Sequence, residues 1–177
     1  MTVSIRLVAE EDAEELAELM ASNRKFFAPW DAVRPDAFYT AAGQLEAIGA
    51  ALRSYESGQM MPHVIVQDGR IVGRMNLNTI VRGAFQSGTL GYYVAEEYNG
   101  RGIAGRATGL MVAVGFEELN LHRIEANTLL HNVASQRVLL RNGFERFGTA
   151  PKYLRIAGEW QDHDQFHKIN ENWLPGA

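Results

Sequence analysis

Apolar positions along the chain follow two periods, one of helices and one of strands. Val3 to Ala9 is a short β-prone run, and Glu10, Glu11 and Asp12 open a helix on which Leu16, Leu19 and Met20 share one face. Phe26-Phe27-Ala28-Pro29-Trp30-Asp31 and Arg34-Pro35-Asp36 then mix prolines with aromatics, as structured loops do. The spacing predicts a second helix from about Thr40 to Ser57, with Leu45, Ile48 and Leu52 on one face and Gly58 as its stop. From residue 62 the period changes to two: His63 to Gln67 and Ile71 to Val81 read as strands joined by Asp68-Gly69, a strong hairpin signal. A third strand, Gly88 to Val94, completes an antiparallel meander. Helix returns from about Gly102 to Leu119, where Ile103, Ala107, Leu110, Met111 and Val114 keep helical spacing. His122 to Leu130 is another strand and Asn132 to Arg141 a short helix ended by Gly143-Phe144. Two final strands, about Glu145 to Ile156 and Glu159 to Ile169, meet at Ala157-Gly158. The pattern implies one α+β domain over residues 1–177, with helices flanking a mixed, mostly antiparallel sheet that has one parallel crossover in its middle.

Composition narrows the function. Lys plus Arg number 17 against 21 Asp plus Glu, a net charge of −4, and 46% of residues are hydrophobic. That is a globular composition, and it disfavours a general nucleic-acid binder, whose phosphate contacts need a basic surface. With no cysteine, disulfides, thiolate metal sites and a cysteine nucleophile are excluded. Histidines 63, 122, 131, 163 and 167 lack the helical pair spacing of a metal site, so no metal is expected. No stretch has the roughly 18 apolar residues of a membrane span, and the first residues do not read as a signal peptide; cytoplasmic residence is the expectation.

The most informative segment lies between the strand ending at Val94 and the amphipathic helix: Tyr98-Asn99-Gly100-Arg101-Gly102-Ile103-Ala104-Gly105-Arg106. Glycines let backbone N–H groups crowd round an anion, and the helix N-terminus adds about half a positive charge, so a phosphate suits this place. Arg101 and Arg106 add full charges. A tight turn with close helix packing would use the same glycines without any ligand. Gly100, Gly102 and Gly105 also satisfy the dinucleotide fingerprint, with Glu125 placed 20 residues after Gly105 for a ribose. That fingerprint wants its first glycine directly after the strand and further βα units beyond, whereas this chain closes on a hairpin. A nucleotide-binding oxidoreductase is therefore an alternative with the wrong surroundings.

Asn99-Gly100-Arg101-Gly102-Ile103-Ala104 resembles the acetyl-CoA loop of the GNAT N-acetyltransferases, whose core is Gln/Arg-x-x-Gly-x-Gly/Ala; only Asn99 departs, by one methylene from Gln. Asn132-Val133-Ala134-Ser135, followed by Val138 to Phe144, resembles that family's Asn-bearing helix and its Gly-Phe end. Three further segments are similar to the RimJ/RimL-like branch, the ribosomal-protein-alanine N-acetyltransferase type. They are Val81-Arg82-Gly83-Ala84-Phe85 before Leu90-Gly91-Tyr92, then His122-Arg123-Ile124, and finally Tyr153-Leu154 with Gly158-Glu159-Trp160-Gln161-Asp162-His163. The resemblance implies the GNAT acyl-CoA N-acyltransferase fold and acetyl transfer from acetyl-CoA to an amine, foremost the α-amine of a protein N-terminus. It also implies a monomer or homodimer.

Site residues follow from the resemblance. The pyrophosphate would lie on the amides from Gly100 to Gly105, with Asn99, Arg101, Gly102 and Ala104 in the same loop. Pantetheine would run beside Tyr93 and Val94, and Asn132 would bond its arm, although Asn is also a good N-cap. Many relatives place an acidic tyrosine seven residues after that Asn, where this chain has Leu139. The RimJ/RimL branch instead offers a serine three residues after it, Ser135, as proton donor; a first-turn serine bonding the backbone is the other reading. Lys152 stands where some relatives carry a carboxylate, so no general base is evident. Trp30, Phe85 and Tyr92 are candidate walls of an acceptor cleft, with Asp31 attracting the amine, and burial in the core is their alternative. Other acceptors (an antibiotic, a polyamine or an amino acid) and a non-catalytic acyl-CoA sensor stay open.

Overall fold

The alternation that starts near residue 61 becomes a meander in which β2 (Met61–Gln67), β3 (Arg70–Val81) and β4 (Ser87–Val94) pair antiparallel in chain order. Asp68 (φ 49°) and Gly69 (φ 86°) make its first turn with the two positive φ angles that match strand twist. The computed structural model describes residues 2–175. β1 (Val3–Leu7) adds to β2, and beyond β4 come β5 (Arg123–Leu129), β7 (Glu159–Ile169) and β6 (Glu145–Ile156), giving the sheet order β1-β2-β3-β4-β5-β7-β6. β4 and β5 are the parallel pair, and the crossover between them carries α4 (Ile103–Ala113).

Two cores follow from the period of two. Val64 and Ile71 meet α1 (Ala13–Ser22), α2 (Arg24–Phe27) and α3 (Ala41–Glu56) through Leu16, Phe27 and Ile48 on one face. Their chain neighbours Ile65 and Val72 point to the other face, into a cluster with Ile103, Ala107 and Met111 of α4 and Leu139 of α5 (Val133–Arg141).

The first helix begins at Ala13 rather than at Glu10, after a tight turn of residues 10–12. Asp12 is buried there, accepting two hydrogen bonds from Arg6 at 2.8 and 2.7 Å and one from the Ala9 amide at 2.8 Å. α3 is turned from its expected face: Gln44, Ile48 and Ala51 are buried, whereas Leu45 is 44% exposed. The cause is local. Gln44 donates to the Phe38 carbonyl at 2.7 Å, and Gly43 sits so close to Ala37 that a Cβ would lie 1.9 Å from its oxygen. The helix predicted to reach Leu119 is regular only to Ala113 and continues as a wide turn over Val114–Glu118. Gly115 fits that turn because a Cβ would meet Ile124 at 2.7 Å.

The feature that positions the site is where β4 and β5 part. Their register covers only Ser87 to Leu90 against Arg123 to Ala126. Beyond Leu90 and Ala126 the two strands diverge, while β4 stays paired to β3 and β5 stays paired to β7 to its end. Gly73 holds the β3 side tight: a Cβ there would lie 2.1 Å from the Tyr93 carbonyl oxygen. A Gly73→Ala variant is expected to lose about 1–3 kcal/mol of stability through overpacking, read by urea unfolding. An unchanged midpoint would show that β3 and β4 are not in fact pressed together.

Candidate active site

A cleft of about 450 Å³ opens where β4 and β5 part. It passes through the sheet, because successive residues at its edges face opposite ways. Leu90 and Val94 belong to the α4-side core, so Tyr92 between them faces α4 and α5, whereas Tyr93 packs with Phe27 on the other face, ring centroids 5.1 Å apart. Tyr92, Asn132, Ser135 and Leu139 line the α5 side; Trp30, Asp31, Tyr93, Tyr153 and His163 are among the residues that line the rest.

Asn132 caps α5, its Oδ1 accepting from the Ser135 amide at 3.2 Å, which leaves its Nδ2 as the group available to a ligand. The cap reading is realised without removing the other. The Ser135 hydroxyl is 2.8 Å from the Tyr92 hydroxyl. Burial pushes the Tyr92 phenol up to about 12, against the opposing effect of that bond, so the phenol keeps its proton across the neutral range. A protonated phenol donating to Ser135 leaves the serine free to donate its own hydrogen into the cleft.

The glycine loop lies beyond the end of β4, outside the cleft lining. Gly100 (φ 74°) and Gly102 (φ 75°) both need the left-handed conformation, although open space surrounds each. Gly102 begins α4 with no side-chain cap, so the first-turn amides have no capping oxygen. Asn99 is exposed and donates to the Ala95 carbonyl at 3.4 Å, while Arg101 lies over the Tyr98 ring at 5.5 Å. Ala104 and Gly105 are half-buried in the first turn of α4, and Val94 is buried at the end of β4. Glu125 is paired with Arg123 at 2.6 Å and, lying between Ile124 and Ala126 of the α4-side core, faces away from the loop. Its side chain therefore does not serve a ribose beside those glycines, and the turn of residues 96–98 separates them from β4.

Two acceptor-side expectations change. Phe85 is 53% exposed in the β3–β4 turn and does not line the cleft; that turn is at the opposite end of β4 from Val94. Asp31 does line it, but its carboxylate accepts from Arg34 twice at 3.0 Å and from the Ala32 amide at 2.8 Å. An attraction for an incoming amine is largely neutralised by that pairing. The Asp31 carbonyl accepts from the Ala157 amide at 2.9 Å, which ties this loop across to the β6–β7 turn. Trp30 is 38% exposed, its ring centroid 5.3 Å from that of His131.

Sequence reasoning passed over His163, which is 3% exposed and has Nδ1 2.9 Å from the Gln161 carbonyl oxygen. Its place opposite Leu129 depends on β7 inserting between β5 and β6, which no local pattern announces. Thr128, also in the cleft, is 4% exposed with its hydroxyl lacking a hydrogen-bond partner. Among the described residues no three His, Asp or Glu side chains gather as a metal site would require.

Residues 2–145 match the acetyltransferase (GNAT) domain family. The chain is 37% identical over 171 residues to the probable N-acetyltransferase YjcK of Bacillus subtilis, covering 96% of this chain and 94% of that protein. The structure is similar to a ribosomal-protein-S5-alanine acetyltransferase from Vibrio fischeri, with a TM-score of 0.93 and 34% identity over 99% and 97% of the two chains. Mycobacterium smegmatis RimJ in complex with CoA-disulfide also superimposes with a TM-score of 0.93, at 29% identity over 99% and 85%.

The hydroxyl pair can be checked by a double-mutant cycle of Tyr92→Phe and Ser135→Ala. Each single change is expected to cost about 0.5–1.5 kcal/mol in denaturant unfolding, and the double change little more than either. Strictly additive losses would mean that the two hydroxyls do not interact.

Proposed function

Since the chain belongs to the GNAT acetyltransferase family, we propose that residues 1–177 act as one catalytic domain that transfers the acetyl group of acetyl-CoA directly to the N-terminal α-amine of a protein, such as a ribosomal protein. The observation that carries this reading is the cleft through the sheet, with hydroxyl donors on one face and an aromatic, partly open surface on the other.

The chain's own groups suit acetyl-CoA. Beyond Leu90 every second residue of β4, Val94 among them, turns its backbone groups to the free edge, where an extended amide-bearing arm could pair as a further strand would; Tyr93, its carbonyl turned to β3, would line that arm with its flank. Asn132 Nδ2 stands on the α5 side of that arm. The uncapped amides from Gly102 to Gly105 and the Arg101 guanidinium would hold phosphates. Once the amine attacks the thioester carbonyl, charge moves onto the departing sulfur. Ser135, fed by Tyr92, would donate a hydrogen bond to it. A thiol titrates near 8.5, well below these hydroxyls, so the pair stabilises a thiolate rather than acting as a strong acid. An α-amine titrates near 8, and at pH 7 about one part in ten is already neutral, so little basicity is demanded of the protein.

The acceptor assignment is supported by similarity to the Vibrio fischeri enzyme, which is named for ribosomal protein S5 alanine. No described helix is long and apolar enough to cross a membrane. Action in the cytoplasm, by a monomer or homodimer, goes with that acceptor.

CoA release is to be followed with acetyl-CoA and a panel of N-terminal peptides, α-blocked peptides, aminoglycosides and polyamines. Turnover confined to free α-amino peptides is expected. Turnover on small amines alone would replace the protein acceptor, and tight CoA binding with no turnover would favour a sensor. Ser135→Ala is expected to lower kcat by about 10²–10³-fold with KM for acetyl-CoA changed little. Full activity across pH would remove Ser135 from the chemistry.

A further inference from the structure

We infer that His163 is the general base of the acceptor half of the site, matched to an α-amine; this rests on the transfer reaction proposed above. The residue is 3% exposed yet lines the cleft, on the opposite face of the sheet from Ser135. Face follows from register: His163 is paired with Leu129, whereas Thr128 and Asp164 alternate to the α5 side. The donors for the departing sulfur and the imidazole thus stand on the two sides of the gap that the reacting carbonyl must occupy.

The imidazole is held in a defined tautomer. A carbonyl oxygen only accepts, so the 2.9 Å contact to Gln161 puts the hydrogen on Nδ1 and leaves Nε2 with its lone pair. Tyr153 packs edge-on to the ring at 5.7 Å and fixes its plane. Proton bookkeeping is simple. The neutral amine forms the C–N bond, the C–S bond breaks, the nitrogen's extra proton goes to Nε2, and the Gln161 carbonyl stabilises the imidazolium through Nδ1–H. The sulfur departs as a thiolate held by the Ser135 hydrogen bond and takes its proton from water, and His163 returns its own proton to water.

Other titratable groups facing this half of the cleft are unsuited to the task. Asp31 is held by Arg34, Tyr93 is pushed up to about 12 by burial and stays neutral, and Tyr153 is a phenol. On the strand itself Asp162 accepts from the Lys152 amide and Asp164 is bound by Arg146. An α-amine near 8 gives up its proton far more readily than a lysine amine near 10.4, so a weak neutral base favours chain ends over lysine side chains.

The experiment compares wild type with His163→Gln and His163→Ala on an α-amino peptide. Expected for His163→Gln is a fall in kcat of roughly 10²-fold or more with peptide KM changed little, and loss of the acidic limb of the kcat profile. Expected for His163→Ala is partial rescue of kcat by added imidazole. A kcat within about threefold of wild type with an unchanged profile overturns the inference while leaving acetyl transfer intact. Absence of transfer by wild type to any amine overturns both readings. Should the variants fail to fold, ¹⁵N spectra of the wild-type imidazole with a CoA–peptide bisubstrate decide: a shift at His163 Nε2 supports the role, and an unmoved signal overturns it.

Discussion

A parallel strand pair that stops after four residue pairs is the constraint on which the remainder of the molecule depends. Backbone groups in a sheet interior have to find partners, and beyond Leu90 and Ala126 the facing edges of β4 and β5 have none in each other. The long hairpin of β6 and β7 and the meander of β1 to β4 hold the two halves in shape. α4 follows β4 and α5 follows β5, and the two helices pack together on one face of the sheet beside the gap. The glycine loop then stands at one end of the gap and the Asn132 cap at its side.

Much of this was legible in the chain. Period-two segments became strands, Asp68-Gly69 became a turn, and the final hairpin spans its expected limits, Glu145–Ile156 and Glu159–Ile169. The glycine loop and the Asn132-to-Ser135 segment announced themselves because positive φ and helix capping are local demands that local residue types meet. Side-chain direction on α3 was not legible, since Gly43 and Gln44 dock against a turn that periodicity does not see. Nor was the state of Asp31, whose partner Arg34 is close in sequence but whose geometry is set by the loop. His163 was hidden for a longer-range reason: strand order within the second half of the sheet is decided by tertiary packing.

The two faces of the gap differ in chemistry as well as in packing. On the α5 side the Tyr92 phenol, its proton affinity raised by burial, bonds the Ser135 hydroxyl and the two form a fixed pair of dipoles. The other side carries an imidazole and aromatic rings, Trp30, Tyr93 and Tyr153. A net charge of −4 steers cations only weakly. The chain also holds no cysteine that could form an acetyl-enzyme, in keeping with the direct transfer proposed above.

The hydrogen bond from the Ala157 amide to the Asp31 carbonyl has a mechanical consequence. It joins the loop around Trp30 to the β6–β7 hairpin, two cleft-lining segments far apart in sequence, so neither can swing away from the cleft alone without giving up a backbone partner.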